Sequence, residues 1–330
     1  MTAAPPQHRR RVGSLEVLLI GLIALAVSAG AVSAFVAGDP DVSTAATVFC
    51  GVFVQALPFL VLGVVVSGLI AAFVSAERLS RWLPRRPALA VLAAGIGGAA
   101  LPGCECGSVP VARRLFGPGT NGAAALTFML SAPAVNPVVL VATAVAFPGQ
   151  PAVVLARCVA SLITAMVMGL LWSRFGRDEW VTRALPAPAS EASSRWTVFT
   201  EAARHDFLQA ASYLVVGAGA AAALHVLVPP WVFEHLAGHL LLGVVTMALL
   251  AVVLALCSEA DAFVAASLTM VPLVPRLVFL VVGPAVDVKL SAMQAGMFGR
   301  RFAVRFGPAT LLVATVVATV IGLAILGGAT

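Results

Sequence analysis

Five ionisable residues and three cysteines stand inside otherwise apolar stretches of this 330-residue chain, in patterns that could do chemistry. Cys104-Glu105-Cys106 puts two thiols and a carboxylate within one short turn. Cys257 is followed by Glu259 and Asp261, and Asp287 is followed by Lys289, the only lysine. Soft thiolates suit thiophilic metals and, by the same chemistry, trivalent arsenic. Carboxylates at membrane depth suit a proton or a cation. A charge near a bilayer centre costs about 2.5–3.5 kcal/mol, so such groups mark a solute or proton path.

Each group also has a plainer reading. Buried cysteines fill tight turns as small hydrophobes, and their thiols titrate high in apolar surroundings. Asn136 and Asp287, each at a break in an apolar run, either bond freed backbone or present an oxygen to a solute. Lys289 either forms a structural pair with an acidic neighbour or neutralises a carboxylate until a solute or proton displaces it. Gln55 and Gln209 are expected to bridge helices. Cys50, Cys158 and His225 are expected to be packing or interface residues, and Arg157 either to snorkel or to pair helices near the outer surface. His235 and His239, beside Glu234, have metal-ligand spacing but no third partner.

The elements that position these residues follow from composition. The chain is 61% hydrophobic and 10% charged, against about 45–50% and 25% for soluble domains. That excludes a soluble enzyme, and the basic residues lie in short clusters between apolar runs rather than on a nucleic-acid-binding face. Five cysteines in apolar settings do not read as a secreted disulfide framework. Runs able to cross a bilayer, about 20 residues each, fall at 14–37, 46–75, 88–112, 120–147, 151–173, 206–228, 239–271, 275–298 and 307–328. The run at 14–37 is too long for a signal peptide core and reads as a retained helix.

Two runs are interrupted abruptly, at Leu101-Pro102-Gly103-Cys104-Glu105-Cys106-Gly107 and at Cys257-Ser258-Glu259-Ala260-Asp261. Each is a full span or a re-entrant hairpin, and positive charge decides between them. With the N-terminus inside and both runs re-entrant, Arg9–Arg11, Arg78, Arg81, Arg85, Arg86, Arg113, Arg114, Arg174, Arg177, Arg183, Arg195, Arg204, Arg300, Arg301 and Arg305 are all cytoplasmic. That is seventeen of the twenty basic residues. Full crossing by both runs leaves ten inside. The expected fold is therefore an all-α integral membrane protein of seven spans and two re-entrant hairpins.

An internal repeat sharpens this. Phe128, Pro133 and Asn136 match Phe279, Pro284 and Asp287 at an offset of 151, which also brings Cys106 onto Cys257. Phe53, Gln55, Leu60 and Gly63 match Phe207, Gln209, Leu214 and Gly217 at an offset of 154. The first helix of each copy would run in opposite directions, so the repeats are inverted, an architecture that places a transport site near mid-membrane. The domain reading is a cytoplasmic N-terminus 1–13, an extra helix 14–37, repeat 1 at 46–173, a cytoplasmic linker 174–205 with Pro186 and Pro188, and repeat 2 at 206–328.

Pro102-Gly103-Cys104-Glu105-Cys106-Gly107-Ser108-Val109-Pro110, Pro133-Ala134-Val135-Asn136-Pro137, Cys257-Ser258-Glu259-Ala260-Asp261 and Gly283-Pro284 with Asp287 and Lys289 resemble the signatures of a bacterial permease family that includes the organoarsenical efflux permeases. The resemblance covers residues 45–325. It implies a polytopic inner-membrane transporter and, in some members, export of trivalent organoarsenicals, with Cys104, Cys106 and Cys257 as substrate ligands. Glu105 departs from the small residue, usually Ser, that members carry there, and a carboxylate favours a cation or proton coupling.

The expectation is thus a secondary permease, moving a small thiophilic or cationic solute outward. Cys104, Glu105, Cys106, Asn136, Cys257, Glu259, Asp261, Asp287 and Lys289 would form the site, and the three cysteines would be metal ligands if the cargo is a metal or metalloid. No Walker A, G-x-S-x-G or HExxH pattern is present, so neither an enzyme nor a cofactor is expected. The expected partners are lipid and the solute, not nucleic acid, with homo-oligomerisation left open. The alternative is a passive channel or scaffold subunit whose hairpins form a constriction.

Overall fold

The computed structural model describes residues 38–73, 86–99, 105–116, 122–181, 194–227, 240–269 and 271–327. The expected 14–37 helix, Cys104, His235, His239 and residues 182–193 of the 174–205 linker lie outside these. The chain divides into two compact units, Met1–Thr47 and Val48–Thr330. Of the first, the described part is the opening of a helix in which Thr44 and Thr47 hydroxyls donate back to the Pro40 and Ser43 carbonyls. The contacts below lie within the second.

Every regular element among the described residues is helical. Before the linker come α1 (Pro40–Phe73), α2 (Pro87–Gly98), α3 (Glu105–Leu115), α4 (Gly122–Val135), α5 (Pro137–Ala146) and α6 (Pro151–Phe175). After it come α7 (Arg195–Leu227), α8 (Leu240–Leu254), α9 (Ala260–Ser267), α10 (Leu273–Ala285), α11 (Val288–Met297) and α12 (Arg300–Ile325). Helix α7 starts at Arg195, well ahead of the apolar run expected from 206, because its first turns are polar but carry no helix breaker.

Among the described residues four helical stretches are long and apolar enough to cross a membrane, α1, α4 with α5, α6 and α12, while α2 and α8 are shorter apolar helices. On α12, Leu312, Val316, Val320 and Leu323 form an exposed stripe at helical spacing. A stripe of that kind suits lipid tails, which need no polar partner.

All four expected interruptions separate two helices. Between α4 and α5, Pro133 removes a backbone donor three residues before the break. The carbonyl this frees, Met129 O, accepts from Ser108 Oγ of α3 at 3.1 Å. Asn136 then restarts the helix, its Oδ1 accepting from Val139 N at 3.0 Å and its Nδ2 donating to Ala132 O at 2.9 Å, with Pro137 at the first helical position. Between α10 and α11, Pro284 lies just before the end and Asp287 caps, Oδ1 accepting from Leu290 N at 2.5 Å. In both places the asparagine or aspartate therefore bonds freed backbone.

Helices α4 and α10 are each packed between neighbours, α4 against α2, α3 and α6, and α10 against α8, α9 and α12. The breaks they carry are buried for that reason. Glycine allows one approach that bears on the site: a Cβ added at Gly217 of α7 would meet Lys289 Cα at 2.7 Å and its carbonyl oxygen at 3.0 Å. Gly63 of α1 lies similarly against the backbone of Gly107 in α3.

Gly217→Ala is expected to push α11 away and to cost about 1–3 kcal/mol as overpacking. Gly219→Ala on the same helix has open space around it and should be neutral or slightly stabilising. Thermal unfolding of the detergent-solubilised variants checks the contrast.

Candidate functional site

The helix starts created by these breaks bring charged side chains together in the core. Glu105 opens α3, Asp287 caps α11, and Lys289 follows in its first turn. The segment Ala255–Glu259 joins α8 to α9, and Asp261 lies in the first turn of α9. Arg157 projects from the first half of α6. Glu105, Asp287, Lys289 and Arg157 are all 0% exposed, so each charge needs a partner inside the protein.

Lys289 Nζ donates to Glu105 Oε1 at 2.5 Å and to Ala255 O at 3.3 Å. It lies 3.8 Å from Asp287 Oδ2 and 3.9 Å from Cys257 Sγ. Ala255 has φ +48°, a left-handed conformation that costs roughly 1–2 kcal/mol for a residue with a Cβ. That strained turn ends α8 beside the ammonium that its carbonyl serves. The other oxygen of Glu105 accepts from Ser258 Oγ at 3.3 Å.

A second pair lies beside the first. Arg157 Nη2 donates to both oxygens of Asp261, at 2.8 and 3.0 Å, and to Ser258 O at 2.9 Å, while Nη1 donates to Thr143 Oγ1 at 2.7 Å. The pairs are exchanged across the chain. Glu105, before the linker, is held by Lys289 and Ser258 after it; Asp261, after the linker, is held by Arg157 before it. Ser258 joins the two, serving one pair with its hydroxyl and the other with its carbonyl.

Of the residues singled out from the sequence, Glu105, Cys257, Asp287 and Lys289 thus come together, with Asp261 one residue removed through Ser258 and Arg157. Cys106 is buried next to Glu105. Both carboxylate oxygens of Glu259 are buried without a hydrogen-bond partner among the described residues. Asn136 bonds its own helix ends. Among the described residues no three His, Cys, Asp or Glu side chains are placed to hold a metal ion as they stand.

Of the two readings of Arg157 the structure shows helix pairing and not snorkelling: it is 0% exposed and bonds Thr143 of α5 and Asp261 of α9. The signal for it was there, since an arginine inside an apolar run is an intramembrane charge in need of a partner. Thr143 and Ser258 were not singled out, being ordinary hydroxyl residues in sequence. Gln209 does bridge helices, donating to Gly296 O at 2.9 Å, whereas Gln55 is exposed.

The far end of α3 is tied separately. Asp206 of α7 accepts two bonds from Arg114, at 3.0 and 3.1 Å, and one from Ser67 Oγ at 2.7 Å. Arg113 donates to Met297 O at 2.9 Å. Helix α3 is therefore held at both ends by elements from beyond the linker.

Apolar helices of membrane-spanning length, broken around a buried polar cluster, are those of a multi-pass membrane protein. The chain matches a family model described as a predicted permease over residues 41–324, and it belongs to that family. It is 34% identical over 263 residues to the UPF0718 protein YcgR of Bacillus subtilis, covering 78% of this chain and 89% of that one. It is 30% identical over 283 residues to a Streptococcus mutans protein named as a subunit of a two-component membrane permease complex, covering 83% and 94%. No solved structure matches the chain.

Lys289→Met leaves the buried Glu105 carboxylate without its cation, and breaking a buried pair from one side costs about 3–5 kcal/mol. The double variant Glu105→Gln/Lys289→Met removes both charges and is expected to recover most of that loss. Unfolding midpoints of the wild type, both single variants and the double variant check this; equal losses in single and double variants would contradict the pairing.

Proposed function

We propose that this chain is a secondary permease moving a small thiophilic or cationic solute, such as a metal ion or a trivalent arsenical, outward across the bacterial inner membrane. Its site is the polar cluster between the tips formed by Cys104–Cys106 and by Cys257–Asp261, with Asp287 and Lys289 beside them. The exchanged ion pairs carry this reading: each tip is held by a cation from the other half of the chain, so opening the site and moving the halves are one event. Glu105, Glu259 and Asp261 exchange protons or hold a cation, and the thiols contact a soft solute.

The arrangement is that of an inverted repeat with two re-entrant hairpins and seven spans, the N-terminus cytoplasmic. The element order supports it: α1 to α6 have 34, 12, 11, 14, 10 and 25 residues, and α7 to α12 have 33, 15, 8, 13, 10 and 26. The caps Asn136 and Asp287, 151 positions apart, occupy equivalent breaks. Alternating access then rocks one repeat against the other around the cluster. The name of the Streptococcus relative supports a second subunit for this permease too.

Expression in a host stripped of its own exporters should raise tolerance to at least one metal or metalloid of a sensitivity panel. A Cys104→Ser/Cys106→Ser/Cys257→Ser chain of equal abundance should lose that protection. Equal protection by both chains would remove the thiols from the transport site, and no protection across the panel would count against a metal or metalloid cargo.

A further inference from the structure

Four acceptors surround the Lys289 ammonium: Glu105 Oε1, Ala255 O, Asp287 Oδ2 and Cys257 Sγ, at 2.5, 3.3, 3.8 and 3.9 Å. An ammonium has three protons to give, and Asp287 Oδ2 has no hydrogen-bond partner among the described residues although it is fully buried. Asp287 also carries more charge than its structural role needs. The cap uses only Oδ1, and Asn136 performs the same capping at the equivalent break with an uncharged amide. A second carboxylate oxygen, buried and unbonded, is thus aimed at a site that already holds a cation.

We propose that this cage is a divalent-cation site in which Lys289 acts as a tethered competitor, so that the cargo cation binds by displacing the ammonium from Glu105 and Asp287. The role in transport rests on the permease reading above; the binding step does not. Charge selects a divalent ion. Two carboxylates facing one ammonium leave one negative charge over, and a divalent ion in its place neutralises both. A monovalent ion would only reproduce the ammonium's charge, and it would compete against a group whose tether gives it a high effective concentration. The ligand set selects within the divalents: two carboxylates, a carbonyl and a thiol suit a borderline ion such as Zn²⁺ better than Mg²⁺, which prefers oxygen alone. The ammonium now stands between the ligands, which must close to about 2.0–2.3 Å around a zinc-like ion once it leaves. The freed Lys289 has buried carboxylate nearby, since both oxygens of Glu259, next to Ser258, have no hydrogen-bond partner among the described residues.

The test is Zn²⁺ titration of the purified full chain in detergent, read by calorimetry and by the thermal midpoint, for wild type, Asp287→Asn and Lys289→Met. Asp287→Asn keeps a good helix cap and should unfold much like the wild type without metal. It is expected to bind Zn²⁺ at least about tenfold more weakly, whereas Lys289→Met, freed of the competitor, binds at least about tenfold more tightly and gains the larger rise in midpoint. Mg²⁺ at the same concentrations should shift none of them. Should Lys289→Met fold only when purified with Zn²⁺, that rescue supports the site. Equal Zn²⁺ affinity in wild type and Asp287→Asn overturns it, as does a Lys289→Met chain that binds no more tightly than wild type. Zn²⁺ binding as expected in a chain that moves nothing across vesicles would overturn the permease role alone.

Discussion

The structure depends on one constraint: charged groups placed in an apolar interior must find their partners inside the protein. Lys289 with Glu105, and Arg157 with Asp261, meet it by reaching across the chain rather than to neighbours in sequence. Each pair ties the start of a short helix in one half to a cation carried by the other half. Ser258 fastens the two pairs to each other. A buried ion pair gives little net stability over an apolar replacement, but losing one partner is costly. Such pairs specify an arrangement more than they strengthen it, which suits the proposed rocking of one repeat against the other.

The helix breaks make this possible. A continuous helix offers no free backbone at membrane depth, so charges on it would lack additional partners. Pro133 and Pro284 end their helices, Asn136 and Asp287 restart them, and the carbonyls of Ala255 and Ser258 become available to Lys289 and Arg157. Close approach at Gly217 sets α11 against α7, which fixes where Lys289 starts. Irregular backbone of this kind is tolerated in a membrane where it is buried in protein or lines a cavity. Here it is buried and bonded to the charges.

Much of this was legible in the sequence, for physical reasons that also explain the remainder. Proline, glycine and polar residues inside apolar runs marked all four breaks, because nothing else interrupts a helix so cheaply. The charges at those breaks stood out because the surrounding composition makes them expensive. Partner choice was not legible: Glu105 and Lys289 lie 184 positions apart, and spacing carries no information over that range. Arg157 kept two readings because a long side chain near one end of a run can also reach the polar layer; only the packing of α9 against α5 and of α10 against α6 puts Asp261 beside it. The hydroxyls of Thr143 and Ser258 gave no signal, being common in apolar helices. The polar start of α7 was invisible to a reading based on hydropathy.

Cys257 reports most directly on the central claim, that the buried cluster is a transport site opened alternately to the two faces of the membrane. It is 1% exposed and beside Lys289. The measurement is labelling of Cys257 in oriented vesicles by a membrane-impermeant thiol reagent applied from one side or the other, read by peptide mass. Labelling from each side at a finite rate, slowed when Lys289 and Glu105 are replaced by a fixed cross-link, is the result predicted. A Cys257 that neither side reaches, under any solute condition, would contradict the account.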